Sequence, residues 1–330
     1  MALHEVGCGG SAPSGQVTIR AGHFPNITHA QALVGRATGR FEKALGGKAR
    51  VDWKVFNAGP SAMEALIAGE LDLVYVGPNP AINGYVRSKG EALRIVAGAC
   101  SGGAALVVRA DVPISTPTDF NGRSLATPQL GNTQDVAARH WLLGHGMDWL
   151  ERGGKVRVLP LANPDQLTLF LKKELDAAWT VEPWVSRLVQ EGNGKIFLDE
   201  GDLWPNRRYV TTHLVAARRF LNDHPDLVRA WLEEHLRITD WIRGHRDQAL
   251  RIVSDEIKAE TGRSLPERIL RSAFDRIEPT DDPIRTSLLR SAEQALELGF
   301  LGKQKPELSE IYALDLLNSV RAAAGRPPVP

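Results

Sequence analysis

Cysteine is nearly absent. Cys8 and Cys100 are the only two among 330 residues, so neither a disulfide framework nor a cysteine-based zinc site can be built. Long apolar runs are missing as well. No stretch of about 18 apolar residues occurs, and the chain offers no helical bilayer span. Neither sign of charge is in excess, with 40 basic and 39 acidic residues and a net charge of +1. Without a polybasic block, nucleic acid and acidic membrane surfaces are poor partners. Catalytic signatures are lacking too: there is no G-x-S-x-G, no P-loop, and no G-x-G-x-x-G after the first strand. The nine histidines, His140, His145 and His213 among them, sit at no metal-ligand spacing. Asp281-Asp282 and Glu233-Glu234 lie in polar contexts and read as solvated faces. These absences point to a protein that binds rather than catalyses, with no cofactor and no metal.

Apolar residues make up 43% of the chain, enough for one large core or two modest ones. Strand and helix patterns alternate. "QVTIRAG" reads as a strand and "NITHAQALVGRATGRFEKAL" as a helix with apolar spacings of three and four. "VDWKVFNAG" and "PSAMEALIAG" follow as strand and helix, with Pro60 in the first turn and Gly69 at the exit. "LDLVYV" then runs as a strand into "GPNP". This alternation predicts an α/β fold.

A weak repeat predicts two lobes. "ELDLVYVGPNP" starts at Glu70 and "ELDAAWTVEPW" at Glu174, 104 residues later. "VTIRAGHFPNITHAQAL" and "RSLATPQLGNTQDVAARHWL" share a second pattern of strand, polar loop and Asn at a helix start. Their asparagines, Asn26 and Asn132, stand 106 apart. In α/β sheets, ligands settle where strand C-termini lead into helix N-termini. The loops 23–29, 77–80, 131–135 and 180–184 are therefore expected to line one cleft. The N–H groups of Gly131 to Gln134 would point into it, and a helix start favours negative charge there. Asn132 and Asp135 have capping-box spacing. Taken alone, such a cap serves only its own helix; two matched caps in facing lobes favour a ligand. Phe24, Tyr75, Trp179 and Trp184 are candidate flat walls, with core packing the competing role, above all for Trp179. Glu182 would either receive a cationic or hydroxyl part of a ligand or hold a loop N–H. Thr211 and Thr212 are candidate hydroxyl donors, unless their place in a strand reflects β-propensity alone.

The segments "GHFPNITHAQALVG", "FNAGPSAMEALIAGELDLVYVGPNPAING", "SGGAALVV", "LATPQLGNTQDVAARHWL", "LDAAWTVEPWVSRLV" and "DLWPNRRYVTTHL" carry a resemblance. The chain resembles, from about residue 16 to about 300, substrate-binding proteins of ABC importers. The family is that of nitrate, sulfonate and taurine binders, and within it the aliphatic sulfonate-binding members. The resemblance implies a two-lobed periplasmic-binding-protein fold of type II with two crossover segments, at Ala104 to Asp111 and Tyr209 to Ala217. Lobe 1 would comprise 16–107 plus 213–330, lobe 2 108–212, and 1–15 a disordered tether. The family's binding positions fall on Phe24, Pro25, Asn26, Pro78, Asn79, Pro80, Gly131, Asn132, Thr133, Gln134, Glu182, Pro183, Trp184, Thr211 and Thr212. A monomer capturing a small anion by hinge closure and passing it to ABC permease subunits is the implied activity. No buried arginine falls among these loops, which suits an anion that must be released again. Other ligands remain open: nitrate, taurine, a thiamine-pyrimidine precursor or an aromatic compound. An enzyme of the thiamine-pyrimidine type would need a cysteine-rich motif that two cysteines cannot supply, and a DNA-binding regulator would need a helix-turn-helix.

Cys8 opens "CGGSAPSG", a small-residue stretch unable to form a core, as at the start of a mature bacterial lipoprotein. Cys8 is therefore the expected lipid anchor and the expected location periplasmic or cell-surface. Met1 to Gly7 hold no apolar run, so the location is inferred from the resemblance rather than read. Cys100, in an apolar stretch, is expected to be a buried small hydrophobe.

Overall fold

The computed structural model describes residues 16–330; Cys8 and the expected tether lie outside them. In chain order the strands are β1 (Val17–His23), β2 (Ala49–Val55), β3 (Leu73–Val76), β4 (Leu93–Gly102), β5 (Ala104–Arg109), β6 (Ser124–Thr127), β7 (Arg157–Pro160), β8 (Ala177–Val181), β9 (Gly194–Asp199), β10 (Val210–Ala217) and β11 (Ile277–Pro279). The helices are α1 (Ala30–Thr38), α2 (Arg40–Ala44), α3 (Gly59–Ile67), α4 (Pro78–Arg87), α5 (Thr133–Gly144), α6 (Asn163–Leu171), α7 (Trp184–Gln190), α8 (Arg218–Asp223), α9 (Pro225–Gly244), α10 (Arg246–Thr261), α11 (Glu267–Asp275), α12 (Arg285–Glu297) and α13 (Asp315–Ala323). No helix among the described residues is long and apolar enough to cross a membrane.

Two sheets divide the strands. One runs β11-β4-β10-β3-β1-β2, the other β7-β6-β8-β5-β9. In each, the three strands of the repeat are parallel, and the strand arriving from the opposite lobe is inserted antiparallel beside them. β5 shows why both faces of the second sheet are covered. Leu106 and Val108 join a core with Phe120, Leu142 and Trp179, while Ala105 and Val107 join another with Leu167, Phe170 and Leu188. Alternate strand residues point to opposite faces, so an unbroken apolar run serves two helical layers.

The repeat is real in the strand register. β1 pairs β3 with Ala21 opposite Leu73, and β6 pairs β8 with Leu125 opposite Ala177, each 52 residues apart. The Glu-Leu-Asp motif has a defined task in both copies. Asp72 accepts from the Arg20 backbone N–H at 2.9 Å and Asp176 from that of Ser124 at 2.9 Å. Each carboxylate thus satisfies an N–H where the pairing of the two parallel strands begins.

The changeovers differ from expectation. Ala104 to Asp111 and Tyr209 to Ala217 are not connectors but largely β5 and β10 themselves. The expected boundaries at 107/108 and 212/213 fall inside those strands. The chain changes sheet at Gly102-Gly103, which take φ of +79° and +81°, a conformation open to glycine at little cost. It returns through Glu200 to Tyr209. The two connectors touch: Ala104 N–H donates to Tyr209 Oη at 3.1 Å. Apolar periodicity marks a strand but cannot say which sheet it joins.

Candidate functional site

Loops from both lobes enclose a small chamber of about 30 Å³, room for about two waters. Phe24, Asn26, Thr28, His29, Asn57, Gly77, Thr211 and Thr212 line it from the first lobe. Pro128, Asn132, Thr133, Gln134, Asn163 and Val181 line it from the second. Four helices of nine or more residues begin at its wall. Asn57 precedes α3, Gly77 is the N-cap of α4, Asn132 the N-cap of α5, and Asn163 the first residue of α6. Their aligned dipoles favour negative charge inside. No Asp, Glu, Lys or Arg is in the lining. His29, stacked on Phe24 with ring centroids 4.6 Å apart, is held neutral because burial pushes its pKa well below the usual histidine range. The wall therefore offers amides, hydroxyls and dipoles, and no formal charge.

One atom lacks a partner. Thr133 Oγ1 is buried and makes no hydrogen bond, although buried hydroxyls are nearly always satisfied. Its neighbour Asn132 uses Oδ1 to accept from Thr133 N–H at 2.7 Å. The expected reciprocal box is not formed: Asp135 accepts instead from Gly131 N–H at 2.9 Å and Thr127 Oγ1 at 2.8 Å, and pairs with Arg139 at 3.0 Å. Arg139 draws the carboxylate along its own helix, one turn on.

A larger outer pocket of about 340 Å³ adjoins the chamber and shares Phe24, Asn26, Asn57 and Asn163 with it. Pro25, Pro164, Pro183, Trp184, Ile257 and Leu265 supply its apolar wall, with Asp165, Thr168, Arg187, Thr261 and Arg263 around them. Several contacts hold the lobes together. Trp184 Nε1–H donates to Asn26 Oδ1 at 3.1 Å. Arg276, beside β11, spans to Glu182 at 3.0 Å and Asp199 at 2.9 Å. Ser186 and Ser272 hydroxyls meet at 3.1 Å between α7 and α11, and His140 reaches Glu297 at 3.2 Å between α5 and α12.

Of the residues expected from sequence, Phe24, Asn26, Asn132, Thr133, Gln134, Thr211 and Thr212 meet in the chamber. Pro25, Pro183 and Trp184 stand in the outer pocket. The rest are placed elsewhere. Asn79 Nδ2 donates to Ser291 O at 3.3 Å, and Pro80 packs against Gly59, because Pro78-Asn79-Pro80 form the buried first turn of α4 rather than a loop. Gly131 faces Asn83 and Phe300. Glu182 is fully buried and occupied, accepting from Ser186 N–H and Oγ–H at 3.0 Å while pairing with Arg276; it satisfies an N–H in the first turn of α7 and is not in the chamber lining. Burial raises its pKa to about 7 against the pull of those donors. Tyr75 and Trp179 are core, and Trp179 Nε1–H donates to Glu200 at 2.7 Å. Thr211 Oγ1–H donates to Gly102 O at 2.5 Å. Thr28, His29, Gly77 and Val181 fall within the loops 23–29, 77–80 and 180–184 expected to line the cleft but were not singled out as binding residues, and sequence reading missed Asn57, Pro128 and Asn163 altogether. The repeat itself held the signal for most of them. Asn57 and Asn163 stand 106 apart, as do Thr28 and Gln134 and the Asn26–Asn132 pair, while Gly77 and Val181 stand 104 apart. The chamber is lined in pairs.

Two α/β lobes, each with one strand inserted from the other half of the chain and closed over a polar chamber, define a solute-binding-protein architecture. A model of the NMT1-like family matches residues 12–255; the chain belongs to this family. It is 23% identical over 309 residues to a putative aliphatic sulfonates-binding protein of Bacillus subtilis, covering 90% of this chain and 86% of that one. It is 26% identical over 203 residues to the taurine-binding periplasmic protein of Escherichia coli, covering 61% of this chain and 59% of the relative, so that match spans less than two thirds of the relative's length. The alkanesulfonate-binding protein SsuA of Xanthomonas axonopodis, solved bound to MOPS, superposes with a TM-score of 0.72 at 17% identity, covering 91% of this chain and 98% of that one. At such identity the structural likeness establishes the fold, which is that of two-lobed periplasmic binding proteins.

Proposed function

We propose that the chain is the extracytoplasmic solute-binding component of an ABC importer, capturing a small organic oxyanion of the aliphatic sulfonate type between its lobes and delivering it to the permease. The observation that carries this reading is the inner chamber. Helix starts and amide and hydroxyl groups converge on it without a charged side chain, and Thr133 Oγ1 is left without a partner. A sulfonate oxygen is the acceptor that this hydroxyl lacks. Hydrogen bonds to a charged group contribute roughly 1.5–3 kcal/mol each, so a few of them hold an anion firmly. Because no cation is paired with it, the anion leaves when the lobes part. Contacts from both lobes make the closed state the one the ligand favours. The relatives named as sulfonate- and taurine-binding proteins support the ligand class, and their periplasmic naming supports the compartment. Cys8 is the proposed lipid attachment and the protein acts as a monomer. Nucleophilic chemistry finds no support at Cys100, buried on β4 with its thiol pKa raised by burial.

The test is a thermal-shift screen of sulfonates, sulfate, nitrate, taurine and pyrimidines followed by calorimetry, since a ligand of the native state raises the melting temperature. Thr133→Val is expected to weaken the best anion by about 10-fold or more. It should leave the unliganded melting temperature nearly unchanged, because the lost hydroxyl bonds to nothing in the protein. Asn132→Ala should weaken binding and also stability, through the lost cap. Parent-like affinity in both variants, or a screen in which no oxyanion shifts melting, would overturn the reading.

A further inference from the structure

We infer that the ligand has two parts, an oxyanion head in the inner chamber and an uncharged, ring-bearing tail in the outer pocket, making this a receptor for aryl sulfonates in preference to short-chain ones. The inference rests on the oxyanion reading of the chamber.

The chamber and the pocket adjoin, with Phe24, Asn26, Asn57 and Asn163 lining both. The chamber alone, at about 30 Å³, has no space for a substituent. Any substituent must leave it, and the outer pocket adjoins it along four shared residues. The pocket's 340 Å³ is about twice the ~150 Å³ that accommodates a benzene. A one- or two-ring tail fits that space, whereas a methyl group would leave most of it wet.

The wall chemistry selects the kind of tail. Phe24, Trp184 and three prolines present flat apolar surfaces, which suit rings better than flexible chains because rings lose less rotational freedom on binding. The charges around them cancel once Glu191 is counted. Arg187 lies over the Trp184 ring at 5.0 Å and is neutralised by Glu191 at 3.0 Å. Arg263 and Asp165 carry opposite charge. An ammonium on the tail, as in taurine, would enter an outer pocket lined by two cations, Arg187 and Arg263, against one acid, Asp165, and meets no carboxylate in the chamber lining. Asp135 and Glu182, the acids adjacent in sequence to the wall, are committed to Arg139 and to Arg276 and Ser186.

Calorimetry with methanesulfonate, 1-propanesulfonate, taurine, benzenesulfonate and 2-naphthalenesulfonate tests the inference. The aryl sulfonates should bind at least 10-fold tighter than methanesulfonate, and taurine weaker than the isosteric 1-propanesulfonate. Thr168→Trp places a large ring into the outer pocket from the exposed face of α6. It should collapse the aryl-to-methyl affinity ratio towards one, with a parent-like melting temperature verifying the fold. Equal affinity across the series, or a ratio unmoved by Thr168→Trp, overturns the two-part ligand while the oxyanion reading stands. If no sulfonate binds, both fall.

Discussion

Glu200 shows how much a single buried side chain can matter away from the cleft. It follows β9 at the start of the returning connector, fully buried, and takes the Trp179 Nε1–H at 2.7 Å. Burial lifts its pKa from the usual carboxylate range to about 7. The folded protein therefore holds a proton that the unfolded chain releases near pH 4.5, so stability is full below that pH and declines as pH rises towards 7. The loss is at most about 3 kcal/mol, since each tenfold change in proton affinity corresponds to roughly 1.4 kcal/mol. Glutamine keeps an acceptor for Trp179 and carries no charge. The melting temperature of Glu200→Gln should match the parent near pH 4.5 and exceed it increasingly up to pH 8; a gap independent of pH would refute the assignment. His213 and His235 act in the opposite sense. Both are buried with pKa values lowered to about 4, so each withdraws stability as pH falls from about 6.5 towards 4. The parent's own acid profile is thus flatter than either set of groups alone would make it.

Among the elements, the strand pairs β1–β3 and β6–β8 show what a short motif can build. Asp72 and Asp176 each close the start of a parallel pair by accepting a backbone N–H from the adjacent strand. Truncating either one leaves that N–H without its partner, at a cost of about 1–3 kcal/mol. The Asp72 side chain is 4% exposed and that of Asp176 22%, so water can replace more of what Asp176 provides. Chemical denaturation should show Asp72→Ala losing more stability than Asp176→Ala; equal losses would refute the dependence on burial, and no loss in either would mean that the carboxylates do not stabilise the strand pairs. These two acids were legible as a repeat because local spacing preserves them. The same spacing would have placed Asn57 and Asn163 in the cleft. By contrast, Asn79, in the first turn of α4, and Glu182 sit in equally conspicuous segments yet turn away from it. Their partners, Ser291 and Arg276, lie more than 90 residues off in the chain, beyond the reach of any local pattern.

For the whole molecule, the event the proposed function turns on is closure of one lobe on the other. Gly77, at the start of α4, faces Thr133 at the start of α5: a Cβ added there would stand 2.6 Å from Thr133 Oγ1. Gly77 has φ −68° and ψ 161°, a conformation any residue adopts, so Gly77→Ala costs nothing within its own lobe. The strain arises only on closure, because a β-branched side chain in a helix has little rotamer freedom to yield. Gly77→Ala should therefore keep the parent's unliganded melting temperature, lose at least 10-fold in anion affinity, and show less ligand-induced compaction in small-angle scattering. Parent-like affinity would place the binding surface elsewhere.

The sequence by itself determined the class of fold, the doubled pattern of strand, loop and helix start, and the polar, uncharged character of the loops that meet in the cleft. These follow from periodicity and capping chemistry, which act over a few residues and are written wherever the chain is read. Only the tertiary structure decided which sheet receives β5 and β10, that Glu182 serves Arg276 outside the chamber lining, that Thr133 is left unpaired, and that a wide apolar pocket adjoins the chamber. Each depends on groups brought together from distant parts of the chain, where burial and competition among partners, rather than local propensity, set the outcome.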